Sequence, residues 1–375
     1  MRILIGADLV PTQSNIELFE KADTQTLFGE ALEAVLQQAD FRIFNLEVPL
    51  VDVKNPIDKC GPNLIAPTST IYGYKAINVN LLTLANNHIL DQSDVGLHST
   101  QKLLDEHGIA YVGAGDSIHE SAQPYIFEID NKKIGVYACA EHEFTIADED
   151  KAGANPFNPL ESLDHIVDLR QRCDFLIVLY HGGKEHYRYP SPNLQKVCRK
   201  IVEKGADLVV CQHSHCVGCK EEYQNGTIVY GQGNFLFDHS ESEFWKTGLL
   251  IEIKDNFSID YIPLMKDKNS VRLATGENAE KILGDFEERS NEILQQGLIE
   301  EKYKEFSQQM IDNYLATFAG INRNFFFRVI NKLTGRKFLA WLLKRKYKKE
   351  TLLAMRNFIE CEAHRELFLE GLSDE

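Results

Sequence analysis

The chain has 375 residues, 43% hydrophobic and 26% charged, a balance that fits a globular protein with one large domain and a smaller one. Its 56 acidic residues outnumber 40 basic ones, a formal net charge of -16. That excess argues against nucleic acid as the main partner, because phosphate binding requires a positive face. The opening MRILIGADLV is too short an apolar run for a signal peptide and has no small-residue cleavage site. No apolar stretch approaches the roughly 18 residues that span a bilayer. The eight cysteines lie scattered without a disulfide-like framework, so a reducing compartment, the cytoplasm, is the expected location.

In chain order, Arg2–Ile5 reads as a strand, and Thr24–Gln38 has helical spacing with Leu27, Ala31, Ala34 and Val35 on one face. Phe41–Leu46 is the next strand. After a loop with Pro56, Pro62 and Pro67 come a short helix and the strand Leu81–Ala85. Asp94–His107 is helical, with Gly108 where a C-terminal cap belongs. Tyr125–Ile129 and Ile134–Cys139 are strands joined by a tight turn at Asn131, and Phe175–Tyr180 and Leu208–Cys211 flank the helix Asn193–Lys204. Strands and helices alternating at these lengths predict an α/β sheet. Further on, Gln224-Asn225-Gly226 and Asp255-Asn256 mark two hairpins, so antiparallel strands increase. From about Asn278 strand signals vanish and helical spacing runs to the end. The expected organisation is one domain over residues 1–265 and a helical region over 277–375, with the boundary near Gly276.

The expected strands of the first domain end in polar residues able to bind a metal. Asp8 ends the first, Asn45 and Glu47 the second, and Asn86, Asn87 and His88 the third, followed by Asp91. His181 ends a later strand, and His213 and His215 follow the one ending at Cys211. In α/β sheets such strand ends converge on one site. Carboxylates and an amide oxygen are hard ligands, and neutral imidazole suits Zn, Mn or Fe. In an extended segment the period-two spacing of His213 and His215 points both rings to one side. Two carboxylates and three imidazoles exceed the needs of one closed site, and a pair of cations sharing Glu47 fits them better. Taken singly, each position also reads as hydrogen-bonded structure, and Asn87 with Asp91 as a helix cap. Cys211, Cys216 and Cys219 bracket the two histidines and offer a zinc knuckle as an alternative, although no second Cys-x-x-Cys partner exists.

Asp8, Asn45-Leu46-Glu47, Ala85-Asn86-Asn87-His88 with Asp91, His181-Gly182-Gly183 with Glu185, Pro190-Ser191-Pro192, His213-Ser214-His215 and Gly233-Asn234-Phe235 form an ordered series. It resembles that of the CapA, or poly-γ-glutamate capsule-synthesis, family from Met1 to about Asp238 and on through Pro263. That family is similar in turn to calcineurin-like metallophosphoesterases. The resemblance implies a four-layer α-β-β-α sandwich, here with a C-terminal helical appendage, and one or two divalent ions (Mn, Fe or Zn). It implies Asp8, Glu47, Asn87, His181, His213 and His215 as ligands, with Glu47 bridging. His88 would protonate the leaving group or steady the transition state, with Asp91 beside it in the catalytic set; Asn45, Glu185 and Asn234 are expected to face substrate. Two departures stand out: Val10 occupies the His position of the phosphoesterase pattern Asp-x-His, and Glu47 replaces Asp.

Two functions fit these residues. One is a metal-dependent, phosphoesterase-like hydrolase of a small-molecule or polymer substrate, a phosphoester or an amide-linked polymer precursor, in capsule or envelope synthesis. The other is a non-catalytic assembly subunit that uses the metal pocket to hold polymer or a capsule-synthesis partner. The C-terminal region carries apolar faces at Phe325-Phe326-Phe327, Val329, Ile330 and Leu333, and at Phe338, Trp341, Leu342 and Leu343. Lys344 to Lys349 follow as a basic cluster. These faces are expected either to pack together or to touch a membrane surface peripherally.

Overall fold

The computed structural model describes residues 1–321, 333–334 and 337–373. They form two compact units, Met1–Glu300 and Glu301–Glu375. The first unit begins with β1 (Arg2–Val10), α1 (Ile16–Glu20), α2 (Thr24–Gln37) and β2 (Phe41–Asn45). A long loop leads to α3 (Ile71–Ala76), β3 (Leu81–Thr83), α4 (Ser93–His107), β4 (Ala110–Val112) and β5 (Ala114–Gly115). Then come α5 (Ile118–Ser121), β6 (Tyr125–Ile129), β7 (Lys132–Ala140), β8 (Gly153–Ala154), α6 (Ser162–Arg170) and β9 (Phe175–His181). After α7 (Pro192–Glu203) follow β10 (Leu208–Gln212), β11 (Val217–Tyr223), β12 (Gly226–Gln232) and β13 (Asn234–Phe237). The unit closes with β14 (Thr247–Lys254), β15 (Ile259–Asp267), β16 (Ser270–Leu273) and α8 (Gly276–Glu292).

Two sheets hold this unit together. The larger runs β16-β15-β14-β1-β2-β3-β4, with β13 beside the C-terminal end of β1; the smaller runs β11-β12-β10-β9-β7-β6. Their centres, β1-β2-β3-β4 and β12-β10-β9-β7, are parallel, while the outer β14-β15-β16, β11 and β6 pair antiparallel. Strand alternation explains the layering. Ile3, Ile5, Ile43 and Leu81 of the larger sheet share a core with Val136, Ile177, Val210 and Val229 of the smaller. Leu4, Phe44 and Leu82 face the opposite way, against Leu27, Phe28, Leu32 and Leu97 of α2 and α4. Tyr137, Leu176 and Val209 likewise meet Ile166 of α6 and Leu194 and Ile201 of α7. The result is the expected four-layer α-β-β-α sandwich.

Local expectations hold where turn chemistry is explicit. Asp130 and Asn131 both take positive φ in the β6–β7 turn, and Gly108 caps α4 in the left-handed region. The face expected for α2 differs. Gly29 breaks the helix with φ 72, which shifts its phase, so Phe28, Leu32 and Leu36 are buried with Leu27 while Ala31 and Ala34 are exposed. Strands β13 and β16 add to those expected, each following a turn with positive φ, at Gly233 and at Lys268.

The compact unit extends past the boundary expected near Gly276, because α8 packs on the sandwich. Ile282 and Phe286 enter the core between the sheets, and the Lys220 N–H donates to Ser290 Oγ at 2.9 Å. Among the described residues the second unit is helical: α9 (Leu298–Phe318, which starts just before it), α10 (Lys337–Lys346), α11 (Lys349–Glu360) and α12 (Glu362–Ser373). Leu315, Ala316 and Leu343 bury together there, and Tyr347 donates to Leu315 O at 3.0 Å. Trp341, Leu352, Leu353, Phe358, Ile359, Leu367, Phe368 and Leu372 are exposed, so packing accounts for only part of the apolar surface. The Phe325–Phe327, Val329 and Ile330 face lies outside the described residues. No helix among the described residues is long and apolar enough to cross a membrane.

Phe286 is fully buried, so Phe286→Ala is expected to destabilise the first unit by about 3–5 kcal/mol in chemical denaturation. A loss below about 1 kcal/mol would place α8 outside the cooperative sandwich.

Candidate metal centre

Parallel strands bring their C-terminal ends to one edge of the sandwich, and the expected ligands meet there. In β1 and β2 the register sets Asp8 opposite Asn45, whose Nδ2 donates to Asp8 Oδ1 at 2.7 Å. Asn86, after β3, donates to Asn45 Oδ1 at 3.1 Å and to Leu46 O at 2.9 Å, and its own Oδ1 accepts from the His88 N–H at 3.1 Å. These amides therefore hold the polypeptide around Glu47 and His88. Asn45 was expected to face substrate; it is fully buried and acts as a brace.

His181, ending β9, places Nε2 3.0 Å from Asn87 Oδ1, 3.1 Å from His213 Nδ1 and 3.2 Å from Glu47 Oε1. One ring nitrogen cannot satisfy three such neighbours with a single hydrogen. His215 Nδ1 lies 2.9 Å from Asn234 Oδ1 and 3.3 Å from Asp8 Oδ2. Asn234, on β13 and opposite Asp8 in register, thus orients His215 through its Oδ1, while its buried Nδ2 has no hydrogen-bond partner. Trp245 packs on the His215 ring with centroids 4.2 Å apart.

The two histidines come together by a route other than the extended one expected. His213 and His215 lie in a bend just past β10 and both take positive φ, 92 and 54. Non-glycine residues in that region are strained and concentrate at functional sites. The turn sends His213 toward His181 and His215 toward Asp8. The cysteine alternative does not form: Cys211 Sγ lies 3.5 Å from Cys198 Sγ in the core under α7, and no cysteine joins a cluster of three ligand types among the described residues.

Both Glu47 oxygens and Asp8 Oδ2 are buried without a hydrogen-bond partner. Glu47, His181 and His213 offer ligand atoms within 4.8 Å of one another, and so do Asp8, Glu47 and His215. Two clusters sharing one carboxylate, with orphaned oxygens turned inward, fit divalent cations by the chemistry of the donors. Asn87 Oδ1 adds an oxygen to the His181 cluster. Val10 is buried in the apolar core beside the helices, so its position contributes no ligand.

Burial, then the neighbouring Asp8, raises the Glu47 carboxyl well above its usual range. For Asp8 burial pushes upward, but His215 and Asn45 hold the carboxyl below its usual value. Burial lowers His181 to about 4, and burial with the adjacent imidazoles depresses His213 well below its usual range. Both are therefore neutral and ready to ligate at neutral pH. For His215 burial is outweighed by the Asp8 and Glu47 carboxylates, and its pKa rises to about 9.

His88 belongs to neither cluster. Its Nδ1 lies 2.6 Å from Asp91 Oδ2, which also accepts the Leu64 N–H at 2.6 Å, while Asp91 Oδ1 is ion-paired with Lys59. Lys59 Nζ also reaches Asn87 O at 3.4 Å. Glu143 accepts from Asn87 Nδ2 at 3.1 Å and so aims the amide oxygen at His181. Sequence reasoning missed both. Glu143 follows β7 just as the other site residues follow their strands, a signal that was available; Lys59, in the proline-bearing loop, gave none. Glu185 is exposed; burial opposes but His213 and His215 draw its carboxyl below the usual value.

A cation entering the centre displaces the His215 proton and any proton on Glu47. Metal affinity is therefore expected to rise with pH up to about 9, with proton uptake by buffer at neutral pH. Calorimetric titration with Mn or Zn in buffers of different ionisation enthalpy measures this; pH-independent binding without proton release would contradict it.

The chain matches the model of the bacterial capsule synthesis protein PGA_cap over residues 2–239. The capsule biosynthesis protein CapA of Bacillus anthracis is 27% identical over 271 residues, 69% of this chain and 66% of that protein. The PGA biosynthesis protein CapA of Bacillus subtilis is 26% identical over 228 residues, 58% of each. The chain spans less than two thirds of the length of these relatives. Among solved structures, a phosphatase from Mycoplasma pneumoniae covers 72% of this chain and 94% of its own length at 14% identity, with a TM-score of 0.45. At that score the layers described above, and not the likeness, define the fold. The family match takes in more than half of the chain and both candidate ligand clusters, and the protein belongs to the PGA_cap family of bacterial capsule synthesis proteins.

Proposed function

We propose that the chain is a metal-dependent hydrolase of the phosphoesterase kind, acting in capsule, poly-γ-glutamate or envelope polymer synthesis. The observation that carries this reading is the His88–Asp91–Lys59 group set beside the ligand clusters. A pocket built only to hold a structural cation has no use for a partly exposed imidazole fixed by a buried carboxylate. A divalent cation bound here supplies Lewis-acid polarisation and a more acidic water. The chain's own residues do the rest. Asp91 holds His88 Nδ1 and leaves Nε2 to hand a proton to the leaving atom. Lys59 offsets the Asp91 charge and ties the loop over Asn87. Asn45, Asn86 and Asn234 keep Asp8, Glu47 and His215 oriented.

One observation favours a second reading, a non-catalytic assembly subunit. Val10 leaves the Asp8 cluster a ligand short of the phosphoesterase pattern, which suits a pocket that grips polymer or a partner without turnover.

His88→Ala separates the two. In a screen of phosphomonoesters and phosphodiesters with Mn-loaded protein, turnover is expected to fall about 10²–10⁴-fold while metal content stays unchanged. His213→Ala is expected to lose metal and turnover together. Wild-type turnover in His88→Ala, on a substrate that the wild type hydrolyses, would remove the proposed role.

Peripheral contact with an anionic bilayer is the partner proposed for the second unit. Residues 337–361 hold seven Lys or Arg against two Glu, in a chain of net charge -16, next to exposed Trp341, Leu352 and Ile359. Full-length chain is expected to sediment with phosphatidylglycerol vesicles at low salt and to be released at high salt. Lys344→Glu with Arg345→Glu weakens this binding; recovery of the wild type in the supernatant under both conditions contradicts it.

A further inference from the structure

Outside the metal centre, a cleft of about 340 Å³ opens between α8 and the strands β11, β14 and β15. Two guanidinium groups converge in it. Arg188 Nη1 and Arg289 Nη2 both donate to Val217 O, at 3.0 and 3.2 Å, and Arg289 Nε donates to Gly218 O at 2.7 Å. Arg188 Nη2 also reaches Glu243 at 3.0 Å, but that carboxylate is largely in solvent. Arg289, half-buried, bonds only neutral carbonyl oxygens and has no ion pair among the described residues. Burial, then Arg188, lowers its pKa. Lys281, on the same wall of α8, pairs with Asp285 at 3.1 Å. Three cations thus face two carboxylates within an acidic chain; Arg188 already pairs with Glu243, while half-buried Arg289 beside it has no ion pair of its own among the described residues, which leaves room for an added anion between the two guanidiniums.

Two segments that line the cleft also pass beside the metal centre. Glu243 and Thr247 line it, while Trp245 between them packs on His215. Arg188 lies two residues past His186, which accepts the Trp245 Nε1–H at 2.7 Å. The same two segments therefore border the cation clusters on one side and the paired guanidiniums on the other.

We propose that this cleft is an oxyanion subsite in which Arg188 and Arg289 grip a carboxylate or phosphate group of an anionic chain. Planar guanidiniums bind either group through paired, charge-assisted hydrogen bonds. Occupancy of the subsite stands by itself. The further step, that the bound group is a neighbouring unit of the polymer processed at the metal centre, rests on the hydrolase reading and gives that reading a polyanionic substrate class.

Mn-loaded full-length chain is titrated calorimetrically with inorganic phosphate, with glutarate and with a short γ-linked glutamate oligomer. Saturable binding is expected, weakened about tenfold by Arg289→Gln and about two- to threefold by Lys281→Gln. If Arg289→Gln lowers the melting temperature, Lys281→Gln, exposed on α8, carries the test. Phosphate bound in preference to glutarate assigns the source as a phosphate; the reverse assigns a carboxylate. Absence of saturation at millimolar concentration, or binding indifferent to both substitutions, as for an anion held at the metal centre itself, overturns the subsite. Metal content measured in the same samples keeps the two claims apart: a metal-loaded chain without anion binding loses only the subsite, and a metal-free chain with it loses only the hydrolase.

Discussion

Glu47 is fully buried with neither carboxylate oxygen hydrogen-bonded, next to Asp8, which is equally buried and has one oxygen free. An ionised carboxylate taken out of water without partners costs several kcal/mol, and two side by side repel. The surrounding amides do not relieve this. Asn45 spans Asp8 and Asn86, and Asn86 spans Asn45 and Leu46 O, so their donors fix positions and leave the inward oxygens bare. Compensation comes from His215, which holds its proton to about pH 9, and from Glu47 itself, whose carboxyl burial and Asp8 raise well above its usual range. A centre that keeps two imidazoles neutral, one protonated and two carboxylates unsatisfied is arranged for added positive charge.

The sandwich makes that arrangement rigid. Parallel pairing of β1 with β2 and of β10 with β9 delivers Asp8, Asn45 and His181 from strand ends locked by cores on both faces of each sheet. The strained turn after β10 then splits two histidines that are neighbours in the chain between two clusters. Such strain persists because Trp245 and Asn234 hold His215, and His181 holds His213.

Much of this was legible from residue order, since a ligand type at the end of an apolar β-branched run has a physical meaning in an α/β sheet. The six expected ligands lie together for that reason. What escaped was whatever depends on contacts between segments. Lys59 reaches Asp91 across a loop without periodicity, and Arg289 meets Arg188 only because α8 folds back on β11. Asn45 and Asn234 lie at the centre as expected, and there they brace Asp8 and His215. An amide near a carboxylate in sequence does not reveal which of the two it points at. The α8 boundary failed similarly, since a change from strand to helical spacing marks a change of element and not the end of a core.

The sharing of Glu47 between two ligand clusters offers cations two adjoining positions. Anomalous diffraction from crystals of the protein soaked in Mn tests it most directly. The charge arrangement predicts two peaks flanking Glu47, one beside His181 and His213 and one beside Asp8 and His215, and loss of both in Glu47→Gln. Density with no anomalous peak near Glu47, in crystals that contain Mn, would contradict it.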